Sequence, residues 1–127
     1  MTTILVIEDE QDILENVREL LELENYSVVT ACNGREGVAS AIKHRPDIIL
    51  SAIKMPELDG YGVLLKLRND PRTSLIPLIF LTAKGDHGAR RHGMELGADD
   101  FLTKPFDPLE LIKAVKARLE KQQTLVK

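Results

Sequence analysis

Two periodicities alternate along this chain, and that alternation constrains the fold more than any single residue does. "TILVI" at 3–7 is a short apolar run, the signature of a strand buried on both faces. Residues 10–24 then change to helical spacing: Ile13, Val17, Leu20 and Leu21 share one face, with Glu15, Glu19 and Glu22 mostly opposite. The pair of patterns recurs. "YSVVTA" (26–31), "DIILS" (47–51), "PLIFLT" (77–82) and "DFLT" (100–103) read as strands. Residues 34–44, 60–69, 86–96 and 107–121 read as helices. Val38, Ala41 and Ile42 face inward on the second, Gly60 and Gly62 weaken the third, and Ile112, Val115 and Leu119 share a face on the last. Pro46 cannot continue the helix before it, and Gly97 reads as a C-terminal cap. Strands alternating with helices imply βαβ units, a parallel sheet and right-handed crossovers.

The chain has 127 residues, the size of one ordinary domain. Hydrophobic residues at 43% and charged ones at 29% suit a folded soluble domain rather than a disordered one. A formal net charge of −3 argues against a general nucleic-acid surface, which needs clustered Lys and Arg. No apolar run approaches a membrane span, and "MTTILVIEDE" lacks the basic and long apolar regions of a signal peptide. A single cysteine, Cys32, forms no internal disulfide and suits a reducing, cytoplasmic setting. Charge is uneven: residues 1–30 hold eight acids and one base, residues 109–127 five bases and two acids. Solvated helix faces are the plain explanation, and a docking or dimer surface the other.

In an open α/β sheet, ligands bind outside the carboxyl ends of the strands, near the switch point in strand order. Glu8, Asp9 and Glu10 follow the first strand, Ala52, Ile53 and Lys54 the third. The fourth ends in Thr82, and Lys104 and Pro105 follow the fifth. Two adjacent carboxylates offer the hard oxygens that Mg²⁺ prefers. A lysine offers a point charge for an anion, and a threonine hydroxyl a hydrogen bond. The set suits a phosphoryl group held with Mg²⁺. It lacks a nucleophile, which a carboxylate can supply, and the central position is residue 52. Singly, each signal has a plainer explanation: acids complement a helix N-terminus, Thr82 ends a strand, and Lys104-Pro105 is a loop. Their force lies in falling together at the ends of strands one, four and five.

"VIEDE" at 6–10, "PDIILSAIKMPELDG" at 46–60, "LTAK" at 81–84 and "GADDFLTKPF" at 97–106, in this order and spacing, resemble the receiver domain of two-component response regulators. The resemblance covers about residues 3–121, leaving 122–127 as a tail or the start of a linker. It implies a flavodoxin-like doubly wound (βα)5 fold with a five-stranded parallel sheet in the order 2-1-3-4-5. It implies that Glu8 and Asp9 support Mg²⁺, Asp9 more directly, with the backbone carbonyl of Lys54 as a further ligand. Thr82 matches the switch hydroxyl, Phe101 the switch aromatic, and Lys104 the lysine that pairs with the phosphoryl oxygen. The Lys104–Pro105 bond is commonly cis in the family. The implied partner is a histidine kinase or phosphotransfer protein. The domain itself is expected to touch neither nucleic acid nor membrane. Glu95, Asp99, Asp100, Lys116 and Arg118 match positions where some receivers place dimer salt bridges, on the fourth helix, fifth strand and fifth helix. Ordinary surface charge explains them equally well.

One residue departs. Six positions after Pro46 the family places its phospho-accepting aspartate, and Ala52 stands there. Alanine accepts no phosphoryl group and removes one of three carboxylates around the metal, so Mg²⁺ binding should weaken. The chain is then not an enzyme for its own phosphorylation. Ser51 is no substitute, because strand alternation points it to the other face. An engineered change in a working receiver is favoured over a natural pseudo-receiver acting as a phosphorylation-independent interaction module, because the rest of the motif is present. Without a phosphoryl group, Thr82 and Phe101 are expected to rest in the inactive arrangement, with Phe101 turned outward or averaged. A flavodoxin-type cofactor carrier is disfavoured by the acidic first loop and the scarcity of aromatics: three Phe, two Tyr, no Trp. His44, His87 and His92 show no metal spacing, Cys32 reads as a turn residue, and Met55-Pro56 shapes a loop.

Overall fold

A computed structural model describes residues 1–83 and 87–126, with side chains described except at 87, 89, 90 and 123–126. The strands are β1 (Thr3–Ile7), β2 (Ser27–Ala31), β3 (Ile48–Ala52), β4 (Leu78–Ala83) and β5 (Asp100–Lys104). The helices between and after them are α1 (Gln11–Leu23), α2 (Gly34–His44), α3 (Gly60–Arg68), α4 (His87–Glu95) and α5 (Pro108–Val126). All strand pairs are parallel, in the order β2-β1-β3-β4-β5. The expected doubly wound fold and sheet order are therefore observed.

Strand alternation divides the core in two. Leu5, Ile7, Ile49, Leu78, Phe80 and Phe101 face one layer, where Ala41 of α2 and Val63, Leu64 and Leu67 of α3 pack on them. Ile4, Val6, Ile48, Leu50, Ile79, Leu81 and Leu102 face the other, against Leu14, Val17 and Leu21 of α1 and Leu111, Ile112 and Val115 of α5. This two-sided burial is why the strands read as continuous apolar runs rather than alternating ones. Ile13, Leu20, Val38 and Leu119 pack at the margins of the same layers.

The ends of the helices follow local chemistry. Asn33 caps α2, its Oδ1 accepting from the Glu36 amide at 2.8 Å, and Asp59 caps α3 by accepting from the Gly62 amide at 2.9 Å. Gly97 closes α4 as expected: it sits at φ 103°, open to glycine at little cost, and Ala98 N–H reaches back to the Gly93 carbonyl. Gly60 is fixed by packing rather than flexibility, since a Cβ there would lie 2.3 Å from the Ala52 carbonyl oxygen. The closing segment differs from expectation. The α5 helix runs on to Val126, through the residues read as a tail. Its composition of Glu, Lys, Gln and Leu favours helix, and the Gln122 amide donates to the Leu75 carbonyl at 3.3 Å. The expected start of the fourth helix at 86, and Lys84 of "LTAK", lie outside the described residues.

Candidate functional site

Parallel pairing brings the carboxyl ends of β1, β3, β4 and β5 to one edge of the sheet. A cleft of about 450 Å³ opens there. Glu8, Thr82 and Lys104 line it together with Lys54, so four residues drawn from separate parts of the sequence converge. Ala52 ends β3 directly beside β4, paired with Leu81, and is 2% exposed.

Glu8 and Lys104 are joined more closely than the sequence suggested. Lys104 Nζ donates to Glu8 Oε1 at 2.7 Å, and Glu8 Oε2 accepts from the Glu10 amide at 3.2 Å. Glu8 is 1% exposed. Burial pushes its carboxyl above the ordinary glutamate range, and the hydrogen bond and charge of Lys104 pull it back. The lysine read as a phosphoryl partner thus neutralises the buried carboxylate read as a metal ligand. Asp9 is exposed and borders a shallow depression with Lys54, Met55, Pro56 and Asp59, and its carboxyl is near enough to Glu8 to raise that group further. Among the described residues, no three His, Cys, Asp or Glu side chains cluster closely enough to hold a metal ion.

Thr82 is 5% exposed, and its buried Oγ1 has no hydrogen-bond partner among the described residues. A buried hydroxyl costs free energy unless a water or a ligand meets it, and this one lies at the cleft where either could. Ser51 is fully buried, and its hydroxyl donates to the Ala52 carbonyl at 2.9 Å. The Lys104–Pro105 peptide is cis, as the resemblance implied.

Phe101 corrects an expectation. It is not turned outward: it is 8% exposed and packs on Phe80 with ring centroids 5.6 Å apart. Burying an aromatic side chain of this size is worth about 1.5–3 kcal/mol, a gain that needs no phosphoryl group.

The suggested dimer surface is also partly spent within the chain. Asp99 Oδ2 accepts from the Leu78 amide at 2.7 Å and from Arg68 Nη2 at 3.2 Å. Arg118 Nη2 donates to the Asp99 carbonyl at 2.6 Å, with its Nη1 3.9 Å from Asp99 Oδ1. Burial lowers the Arg68 pKa, and the Asp99 charge opposes that shift. Lys116 Nζ stands 3.6 Å from Glu24 Oε2 of α1, and Asp100 Oδ1 accepts from the Phe101 amide at 2.8 Å. Glu95 is exposed. A sequence pattern shows that charges share a surface, not that two of them already satisfy each other.

The cleft has a further wall that sequence reasoning did not assign: Ile13 and Asn16 of α1, Ile53, Leu81 and Phe106. Phe106 stood within the quoted "GADDFLTKPF" motif. Ile53 and Leu81 stood within the quoted motifs at 46–60 and 81–84, while Ile13 and Asn16 carried no local signal, because only the packing of α1 on the sheet brings them to the cleft.

The comparisons agree with this geometry. The profile of the response regulator receiver domain family matches residues 4–116. The DNA-binding dual master transcriptional regulator RpaA of Synechocystis is 40% identical over 121 residues, covering 95% of this chain and 50% of the relative. The chain spans about half the length of the first curated relatives it matches. A response regulator receiver domain protein from Clostridium thermocellum superposes with a TM-score of 0.91 at 31% identity, covering 98% of this chain and 99% of that one. The receiver domain of sensor histidine kinase PA1611 from Pseudomonas aeruginosa, whose active-site cleft coordinates magnesium, gives 0.87 at 30% identity, covering 94% and 98%. With the five-strand order, the carboxyl-end cleft and the family match over most of its length, this chain belongs to the response regulator receiver domain family.

Proposed function

We propose that this chain is a receiver module whose phospho-acceptor position is Ala52, so that it does not take up a phosphoryl group from a histidine kinase or phosphotransfer protein. The observation that carries the reading is the unpartnered, buried Thr82 hydroxyl on the same cleft as Lys104 and Glu8. The Thr82 hydroxyl and the Lys104 ammonium can donate to phosphoryl oxygens, Glu8 can support a metal beside them, and Ala52 stands at the end of the neighbouring strand. Thr82 would bond the phosphoryl group, and Lys104 would divide its charge between that group and Glu8. The protein would work in the cytoplasm, consistent with one cysteine and with no described helix long and apolar enough to cross a membrane. Any contact with DNA would lie outside the receiver unit.

Mg²⁺ fits the remaining donors only weakly. Glu8, Asp9 and the Lys54 carbonyl are the oxygens available, and Glu8 is already held by Lys104. Mg²⁺ can be held through one or two carboxylates and waters. When bound, it neutralises charge on phosphoryl oxygens. Asp9, being exposed, would be the more available ligand.

The deciding experiment compares this chain with Ala52→Asp, each given a small phosphodonor and Mg²⁺, by intact mass. Incorporation of one phosphoryl group in the aspartate form alone supports the reading. Equal labelling of both forms, or of neither, refutes it. A natural pseudo-receiver that binds partners without phosphorylation is the second reading, against a substituted working receiver, which the otherwise complete motif favours. The native codon at position 52 separates the two.

A further inference from the structure

Phe101 is inward in a chain that carries no acceptor carboxylate at position 52, so its position has a cause other than a phosphoryl group. The space it fills lies under Gly93 of α4, which is buried. A Cβ built at Gly93 would stand 2.5 Å from Phe101 Cζ and 3.0 Å from both Cδ2 and Cε2 of Phe80. Real Cβ atoms do not approach other atoms at 2.5 Å. The contacted atoms are ring atoms of two aromatics packed on each other, 5.6 Å between centroids. Phe80 has no freedom to yield: it is fully buried and meets Tyr61 of α3 edge-on, with centroids 5.6 Å apart. Tyr61 in turn meets His92, the residue before Gly93, at 4.6 Å and 78°. The rings therefore hold α4 against β4 and α3 on one side while Phe101 fills the floor beneath its backbone. A side chain at 93 meets Phe101 and Phe80 first, and the less enclosed of those two is Phe101, at 8% exposure against 0% for Phe80.

We infer that Gly93 is a steric gate for Phe101: its missing side chain leaves the inward position open, so the ring rests inward without a phosphoryl group. The inference rests on the reading of Phe101 as the switch aromatic only for its regulatory meaning. The ring's position is measured independently of any phosphorylation. A receiver with this gate open presents the α4–β5 surface with Phe101 withdrawn from it, whatever the state of residue 52.

The test is fluorine NMR of the chain labelled with 4-fluorophenylalanine, which places three resonances at Phe80, Phe101 and Phe106. The Phe101 signal is assigned by Phe101→Leu. Solvent exposure is read from the shift of each resonance between H2O and D2O. In the unaltered chain, Phe101 should show little solvent shift. In Gly93→Ala it should move to a clearly exposed value. Gly88→Ala on the same helix meets nothing within 4 Å and should leave Phe101 protected, which controls for helix stabilisation. Adding Phe101→Leu to Gly93→Ala should recover thermal stability relative to Gly93→Ala alone, which keeps the test informative if the single variant folds poorly. A folded Gly93→Ala with Phe101 still protected overturns the gate. So does an exposed Phe101 in the unaltered chain, and so does an unfolded Gly93→Ala that Phe101→Leu fails to rescue. None of these outcomes touches the Ala52→Asp phosphorylation result.

Discussion

Replacing Lys104 with methionine should expose how the cleft tolerates a buried carboxylate. Glu8 is 1% exposed in its side chain, Lys104 23%, and their charged atoms are 2.7 Å apart. Removing one member of a fully buried pair costs about 3–5 kcal/mol. The partial exposure of Lys104 and the retained Glu10 amide bond place this case at the low end, about 3 kcal/mol at pH 8. That is a large share of a domain's net stability of roughly 5–15 kcal/mol. The cost should depend on pH. Glu8 already has its folded pKa raised above the ordinary value of 4.5, with burial the largest cause. A carboxyl raised on folding contributes stability that is full below its unfolded pKa and is lost as pH rises through the folded one. Without Lys104, the hydrogen bond and charge that lower that pKa are gone, so the window extends upward. The Lys104→Met penalty should therefore be small at pH 5 and about 3 kcal/mol at pH 8. Urea melts in chelator-containing buffer at the two pH values measure it. In a Glu8→Gln background the pH dependence should vanish. A penalty equal at both pH values, or below about 1 kcal/mol at pH 8, would refute the reasoning.

Ala52→Asp should lower metal-free stability, because two carboxylates about 5 Å apart repel by roughly 3 kcal/mol at an effective dielectric near 20. Urea melts showing the aspartate form equal or more stable would count against it. The same substitution should tighten Mg²⁺ binding, and calorimetric titrations giving equal affinities would contradict this. Asp99→Ala should cost about 2–3 kcal/mol, since it leaves the Leu78 amide and part of the Arg68 guanidinium unpaired. Asp99→Asn, which keeps an acceptor, should recover much of that loss in the same melts.

Much of the architecture was legible because burial on both faces writes itself into composition. Ile4 to Ile7 and Ile48 to Leu50 are apolar without a break, since helices cover both sides of the sheet. Helix faces such as Leu14, Val17 and Leu21 follow the 3.6-residue period for the same reason. The candidate site was legible for another reason: Glu8, Thr82 and Lys104 stand at strand ends, and strand ends can be counted. Ala52 was conspicuous only because its neighbours in that count carry chemistry. The side chain of Phe101 was misplaced because its rotamer depends on vacant space under Gly93, a residue eight positions away on another element. The extension of α5 was missed because its last residues lack an apolar stripe, while helix propensity and the Gln122 contact with Leu75 hold them.

The sequence alone determined the parallel α/β layering, the family, and the set of residues at the carboxyl edge, because those follow from periodicity and from position along each strand. Only the tertiary structure decided how those residues satisfy one another. Lys104 is bound to Glu8, Asp99 is shared between Arg68 and Arg118, Thr82 has a hydroxyl with no partner among the described residues, and Phe101 is folded under a glycine. Pairing of this kind is set by distances between segments far apart in the chain, and no local pattern records them.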